Sequence, residues 1–305
     1  MKRLLPFFIL LFLGLGCIDS KWEDVTSNYK SELNVFAFIS LDDSIPTFIQ
    51  VRQTLGLEGP VWEVVGTDTF WYGEDLDEYQ VYNVLESRFN VTDAVVQISD
   101  NDSTYNLFLI EDEYQSEQMW YFDNFWSGSI YIDTLGLFIP EPEKTYFLTV
   151  KTPDGRELIG EVTTPPLPEI IEDSVPDSID TNRPYTIKFK TMPNHYSRMM
   201  TSSYNWICGA EHADVIEKGD STWTASVENC GGDTSGWDQS NTLTIELITM
   251  DDNYYEYFIK HGHDDEFVNF LMGAGGSGPE FGVEGGYGTF CAVATARIKR
   301  PIIPK

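Results

Sequence analysis

The stretch TYFLTVKTPDGRELIGEVT, residues 145–163, decides the fold. Two strand-like segments, 145–151 and 157–163, flank Thr152-Pro153-Asp154-Gly155. Proline fixes one turn dihedral, aspartate bonds its own backbone and glycine supplies a positive φ, so the stretch predicts a tight antiparallel hairpin. Toward the N-terminus, further segments rich in aromatic and β-branched residues lie at 33–41, 47–52, 61–65, 94–99, 105–110 and 129–133. Within 47–52, Phe48, Gln50 and Arg52 alternate with Ile49 and Val51, a period near two. Many short strands with turn punctuation predict a β-sandwich over residues 33–164.

Two stretches break this pattern. Between 66 and 90, Phe70, Trp71, Tyr72, Tyr79 and Tyr82 are interleaved with Asp68, Glu74, Asp75, Asp77 and Glu78, which predicts an insertion or a long loop. Trp120, Tyr121, Phe122, Phe125 and Trp126 form a second aromatic cluster behind Glu111-Asp112-Glu113.

Toward the C-terminus, Thr164-Pro165-Pro166-Leu167-Pro168 ends the strand pattern, because proline removes donors and holds the chain extended. Acidic residues follow through Asp180, and 165–183 is the expected linker. A second β-rich domain is expected over 184–300, with strands near 185–190, 203–208, 221–227 and 243–250, and a tail at 301–305. Leu243, Ile245 and Leu247 alternate there with Thr242, Thr244 and Glu246. Asp251 can cap one helix, in which Tyr254, Tyr255, Phe258 and Ile259 keep helical spacing. A glycine-rich stretch, 273–288, leads into a closing strand. The chain thus reads as mainly β, a sandwich followed by a β-rich domain with one helix.

The first sixteen residues read as a bacterial lipoprotein signal. Lys2 and Arg3 precede an apolar run of about a dozen residues, short of the roughly 20 that span a bilayer as a helix. Small Gly16 stands before Cys17, whose thiol can take a diacylglycerol, although Gly14 occupies the place where leucine is commonest. The alternative is an ordinary cleaved signal with an incidental cysteine. If lipidated, Cys17 is a permanent membrane anchor, and 17–32 a polar tether.

The formal charge is −30, and −32 once the two basic residues of the leader are gone. Such a field repels DNA, RNA and anionic headgroups, so nucleic acid is excluded as a partner. Export permits a disulfide. Cys208 and Cys230 sit beside turn-forming residues and are the expected pair, closing a loop of about 23 residues worth ~3 kcal/mol on the chain-entropy model. Cys291, in the apolar run 290–296, reads as a buried free thiol.

At 145–163, and again at 281–290, FGVEGGYGTF, the chain resembles the domain-of-unknown-function 4249 family of Bacteroidota-type outer-membrane lipoproteins. The strand-then-helix step TIELITMDDNYYEYF, 244–258, and Gly285-Gly286-Tyr287-Gly288-Thr289-Phe290 carry the same likeness. Val283-Glu284 departs from the usual Asn-Ile, as does the insertion at 66–90. The resemblance implies an immunoglobulin-like or carboxypeptidase-regulatory-like first domain and a place in the outer membrane. It also implies an accessory role beside a TonB-dependent uptake transporter, and it transfers no catalytic residue.

The residues themselves name no reaction. Gly273-Ala274-Gly275-Gly276-Ser277-Gly278 spells a dinucleotide loop, but a helix precedes it and Pro279 follows, the reverse of what the phosphate needs. His261-Gly262-His263-Asp264-Asp265 lacks the spacing of a helix-face zinc motif and reads as solvated surface. Asp100-Asn101-Asp102-Ser103 offers oxygens for calcium but reads better as a turn. No nucleophile elbow or His-Glu-x-x-His occurs, and no cofactor or metal is expected. Aromatic faces stack on sugars and on protein partners, which makes Trp71, Tyr72, Trp120 and Trp126 the candidate contact residues. The expected function is a non-enzymatic accessory or binding lipoprotein. The alternative is a lipoprotein that binds a glycan or peptide alone.

Overall fold

The computed structural model describes residues 30–55, 62–72, 78–110, 130–203, 212–227, 242–260 and 280–303. The first half contains β1 (Leu33–Ser40), β2 (Phe48–Gln53), β3 (Trp62–Tyr72), β4 (Glu78–Ser87), β5 (Val95–Ser99), β6 (Thr104–Leu109), β7 (Ile130–Ile132), β8 (Thr145–Lys151) and β9 (Glu157–Thr163). The second contains β10 (Ile179–Asp180), β11 (Pro184–Lys188), β12 (Ser197–Ser203), β13 (His212–Ile216), β14 (Thr222–Ser226) and β15 (Thr242–Met250). An α-helical turn, Asp252–Tyr254, then runs into a π-helical turn, Tyr255–Lys260; together they are α1. β16 (Glu280–Phe281), β17 (Val283–Glu284) and β18 (Tyr287–Ile303) end the described chain. The described residues are mainly β, with α1 as their one α-helical segment, as the sequence predicts.

The hairpin at 145–163 forms as read. Gly155 takes φ +89 and donates to the carbonyl of Thr152 at 3.0 Å, while β8 and β9 pair from Thr145–Thr163 to Lys151–Glu157. The sheet runs β13-β12-β15-β18-β1-β2-β7-β6-β5-β8-β9-β17, with β10 and β16 also on β18. It folds over so that β1, β2, β7 and β18 face β5, β6, β8 and β9 across one core, a β-sandwich. Leu33, Val35, Ala37 and Ile39 from β1 meet Ile98, Leu148, Leu158 and Phe290 there. Tyr131 is fully buried in this core, and its hydroxyl donates to the carbonyl of Val91 at 2.9 Å and accepts from Ala94 N–H at 3.1 Å.

The alternate residues of β1 explain why α1 exists. Phe36 and Phe38 point to the other face and pack with Phe48, Ile130, Met250 and Cys291 in a further cluster. Phe258 and Tyr254 of α1 cover it, with ring centroids 5.3 Å from Phe36 and 6.3 Å from Phe38. A strand buried on both faces reads as the near-continuous apolar run seen at 33–41. Cys291 is buried and free, as expected, and burial pushes its thiol well above the ordinary range.

A separate core lies in the second half, where Tyr185, Ile187 and Trp223 of the two-stranded β11–β14 sheet pack on Met199, Leu243, Ile245 and Leu247. β18 joins the halves. Its residues Tyr287–Val293 pair parallel with β1, and Val293–Pro301 pair antiparallel with β15. In the stretch expected as a linker, Ile170 bridges to Phe189 and β10 pairs with β18. In the stretch expected as a tail, Ile302 is buried.

The glycine motif sits where β18 enters this crowded crossing. Gly288 has φ +114 and lies against Val35 of β1, so that a Cβ there would overlap the Val35 carbonyl oxygen. A Cβ on Gly286 would stand 2.5 Å from the carbonyl oxygen of Leu33.

Candidate functional site

Residues 66–90 were expected as an insertion or long loop rather than a core strand; β3 and β4, which hold most of them, form a ribbon apart from the main sheet. β3 and β4 pair only with each other among the described strands, from Trp62–Ser87 to Tyr72–Glu78. Threonine, valine and aromatic residues supply the strand preference, and Trp71 and Tyr79 pack as a cross-strand pair at 5.0 Å. The register slips between Val64 and Gly66, a bulge that breaks the alternation a sequence reader looks for.

The register sorts the ribbon into two unlike faces. Trp62, Val64, Thr67, Thr69 and Trp71 share one face with Tyr79, Val81, Asn83, Leu85 and Ser87, and none of these carries a charge. Asp68, Phe70, Gln80, Tyr82 and Val84 take the other, where Tyr82 donates to Asp68 at 3.0 Å. That bond holds the Tyr82 hydroxyl above its ordinary pKa. The uncharged face is open to solvent: Trp62, Val64, Trp71, Tyr79, Val81 and Leu85 are each 52–59 % exposed. Contiguous apolar exposure on this scale marks an interaction surface.

At the foot of the ribbon is a polar cleft of about 320 Å³, lined by Glu63, Val65, Arg88, Asn90, Asp93, Gln53 and Arg156 among others. Its wall is braced. Arg156 Nη1 donates to Gln53 Oε1 at 2.9 Å and Gln53 Nε2 donates to the Arg88 carbonyl at 2.8 Å, while Arg156 Nε pairs with Asp154 at 2.8 Å. Asp154 is thereby lowered to about 2, through the Arg156 hydrogen bond first. Gln53 and Arg156 are 103 residues apart, so no local motif announces them.

Of the expected contact residues, Trp71 stands on the uncharged ribbon face, and the backbone of Tyr72 ends β3 in register with Glu78. Trp120 and Trp126 lie outside the described residues, as do Cys17, Cys208, Cys230, His261 and His263. Asp100–Ser103 is a turn: Asp100 Oδ1 accepts from Asp102 N–H at 2.8 Å and Ser103 N–H at 2.7 Å, and its Oδ2 pairs with Lys144 at 2.8 Å. The Lys144 hydrogen bond, with those N–H donors, brings Asp100 down to about 2. His212 Nε2 lies 3.0 Å from the Ser226 carbonyl oxygen, a bond inside the second half. Among the described residues no three His, Cys, Asp or Glu gather as a metal site, and no helix is long and apolar enough to cross a membrane.

Fold and site together define a β-sandwich protein that carries a two-faced ribbon with a polar cleft at its base. Residues 24–266 match the family model described as "Domain of unknown function (DUF4249)". The chain belongs to the DUF4249 family. No curated protein matches it.

Proposed function

We propose that this chain is a non-enzymatic accessory lipoprotein of the outer membrane, anchored through a lipid on Cys17, that works beside a TonB-dependent uptake transporter. The observation that carries the reading is the ribbon, whose acidic face offers Phe70 and Tyr82 to solvent beside Asp68. The family resemblance supplies the transporter, and the leader supplies the anchor. The acidic face, with Asp68 and Tyr82, is the side offered to that partner. Cross-linking in native membranes followed by affinity purification is expected to recover the transporter with the full chain, and Asp68→Lys to lower the yield several-fold. Recovery of no transporter, or a yield indifferent to Asp68→Lys, sinks the proposal. A Cys208–Cys230 disulfide belongs to the same reading, because export exposes both thiols to an oxidising compartment; non-reducing peptide mapping reads it directly.

The cleft favours a second reading, a stand-alone glycan- or peptide-binding lipoprotein. Two arginines, two carboxylates and two amides around about 320 Å³ suit a small polar ligand. Trp62 adjoins the lining residue Glu63, so a fluorescence change on adding glycans or peptides, with no transporter present, separates the two readings.

A further inference from the structure

The uncharged face of the ribbon has an order along its length that the proposed function does not use. From foot to tip its rows are Trp62 with Ser87, Val64 with Leu85, Thr67 with Asn83, Thr69 with Val81, and Trp71 with Tyr79. Large aromatics stand at both ends, aliphatics lie inside them and a neutral polar pair marks the middle. The sequence of rows reads nearly the same in both directions.

A closed two-fold interface needs a surface that complements itself. We propose that this face docks on the same face of a second copy, with the two-fold axis crossing both strands at the Thr67–Asn83 row. The rotation sets Trp62 over Trp71 of the second copy, Val64 over Thr69 and Leu85 over Val81. Thr67 meets Thr67, and Asn83 meets Asn83, both able to hydrogen-bond to themselves. The two bodies then lie at opposite ends of the stacked ribbons.

Three observations select a second copy over other occupants. First, charge: the chain is strongly acidic, yet none of the ten residues on this face is charged, and Asp68 points away from the contact. Two copies therefore meet here without the repulsion their other surfaces impose. Second, area: three half-exposed aromatics and three half-exposed aliphatics offer on the order of 600 Å² per copy. Doubled, that is about 1,200 Å², the lower bound for a specific interface. Third, stability: a lone two-stranded ribbon is marginal in water, and a facing ribbon supplies the missing cover. A bilayer is a poor occupant, because 62–87 holds acids and not one lysine or arginine.

The test uses the full chain in mild detergent, with sedimentation velocity at about 50 μM, a concentration suited to interfaces of this size. The expected result is a dimer that Val81→Glu weakens about 100-fold, since a carboxylate would be buried against apolar groups. Val84→Glu, on the opposite face, is expected to leave the dimer intact. Thr67→Cys treated with a short bis-maleimide is expected to link two copies through Cys at that position, above the background of the parent chain. A monomer at that concentration overturns the proposal. So does a dimer indifferent to Val81→Glu, or a Thr67→Cys adduct with some other protein. Asp68→Lys, the variant that tests transporter binding, lies off this face, so the two readings fail separately.

Discussion

Gly288→Ala is expected to cost the protein a large part of its stability. The position has φ +114, which an L side chain occupies only at a cost of roughly 1–2 kcal/mol. Strain is the smaller part. The new methyl would overlap the carbonyl oxygen of Val35, and the space nearby is also taken by the Val35 nitrogen. Neither can yield, because Val35 sits mid-strand in β1, paired to β18 on one side and β2 on the other. Overpacking a rigid site costs typically 1–3 kcal/mol or more, so the two effects together reach about 4 kcal/mol, a large part of the stability of an ordinary domain. Gly219 provides the control. It also has positive φ, +97, but nothing lies within 4 Å of its added carbon. Gly219→Ala should cost about 1 kcal/mol by urea denaturation, from strain alone. If both variants lose similar stability, β18 does not pack tightly against β1 at Gly288.

Asp251→Ala is the second large effect. The carboxylate is buried and accepts from Ala292 N–H at 2.9 Å, Asn253 N–H at 3.0 Å and Tyr254 N–H at 3.2 Å. It caps α1 and ties that helix to β18 in one step. Alanine leaves these donors without their acceptor, and an N-cap loss of ~1 kcal/mol plus orphaned buried donors sums to about 3 kcal/mol. Because α1 covers Phe36 and Phe38, the loss should appear as exposed apolar surface, read by dye binding, as well as a lower urea midpoint.

The same residue sets a pH dependence. Burial raises Asp251 to about 7, against the three N–H groups that favour its charged form. A carboxyl raised in the folded state binds more protons there than in the unfolded chain between about pH 4 and 7. Its contribution is therefore full below about 4 and is lost as pH rises through about 7. The stability gap between parent and Asp251→Ala should be wider at about pH 5 than at about pH 8. An equal gap at both would mean that the group does not titrate in that window.

What could be read from the sequence was local. The turn at Thr152–Gly155 and the Asp251 cap lie within a few residues of what they organise. The alternation in β15 is preserved because one face is buried. β12 escaped notice because its inward residues, Ser197, Met199, Thr201 and Ser203, are mostly small and polar, though all are buried. The ribbon escaped for the opposite reason: with both faces exposed, no rule forces apolar residues onto alternate positions, and the Val65 bulge shifts the phase midway. The cleft is assembled from residues near 53, 63, 90 and 156, and such gatherings are set by topology rather than by spacing. Trp71 could be picked out by residue type, whereas the segregation of charge from it needed the register.

The placement of β18 also has a consequence in time. Cys291 lies beside Ala37 although 254 residues separate them. The N-terminal half therefore lacks the β18 partner of β1 until residues 287–293 have been made, however early its hairpins form. A polypeptide made from its N-terminus stays, through most of its synthesis, an unfinished sheet with a slot open along β1. The slot closes when Tyr287–Val293 arrive. The late strand thus works as a zip fastener, and both halves lock on the same pull.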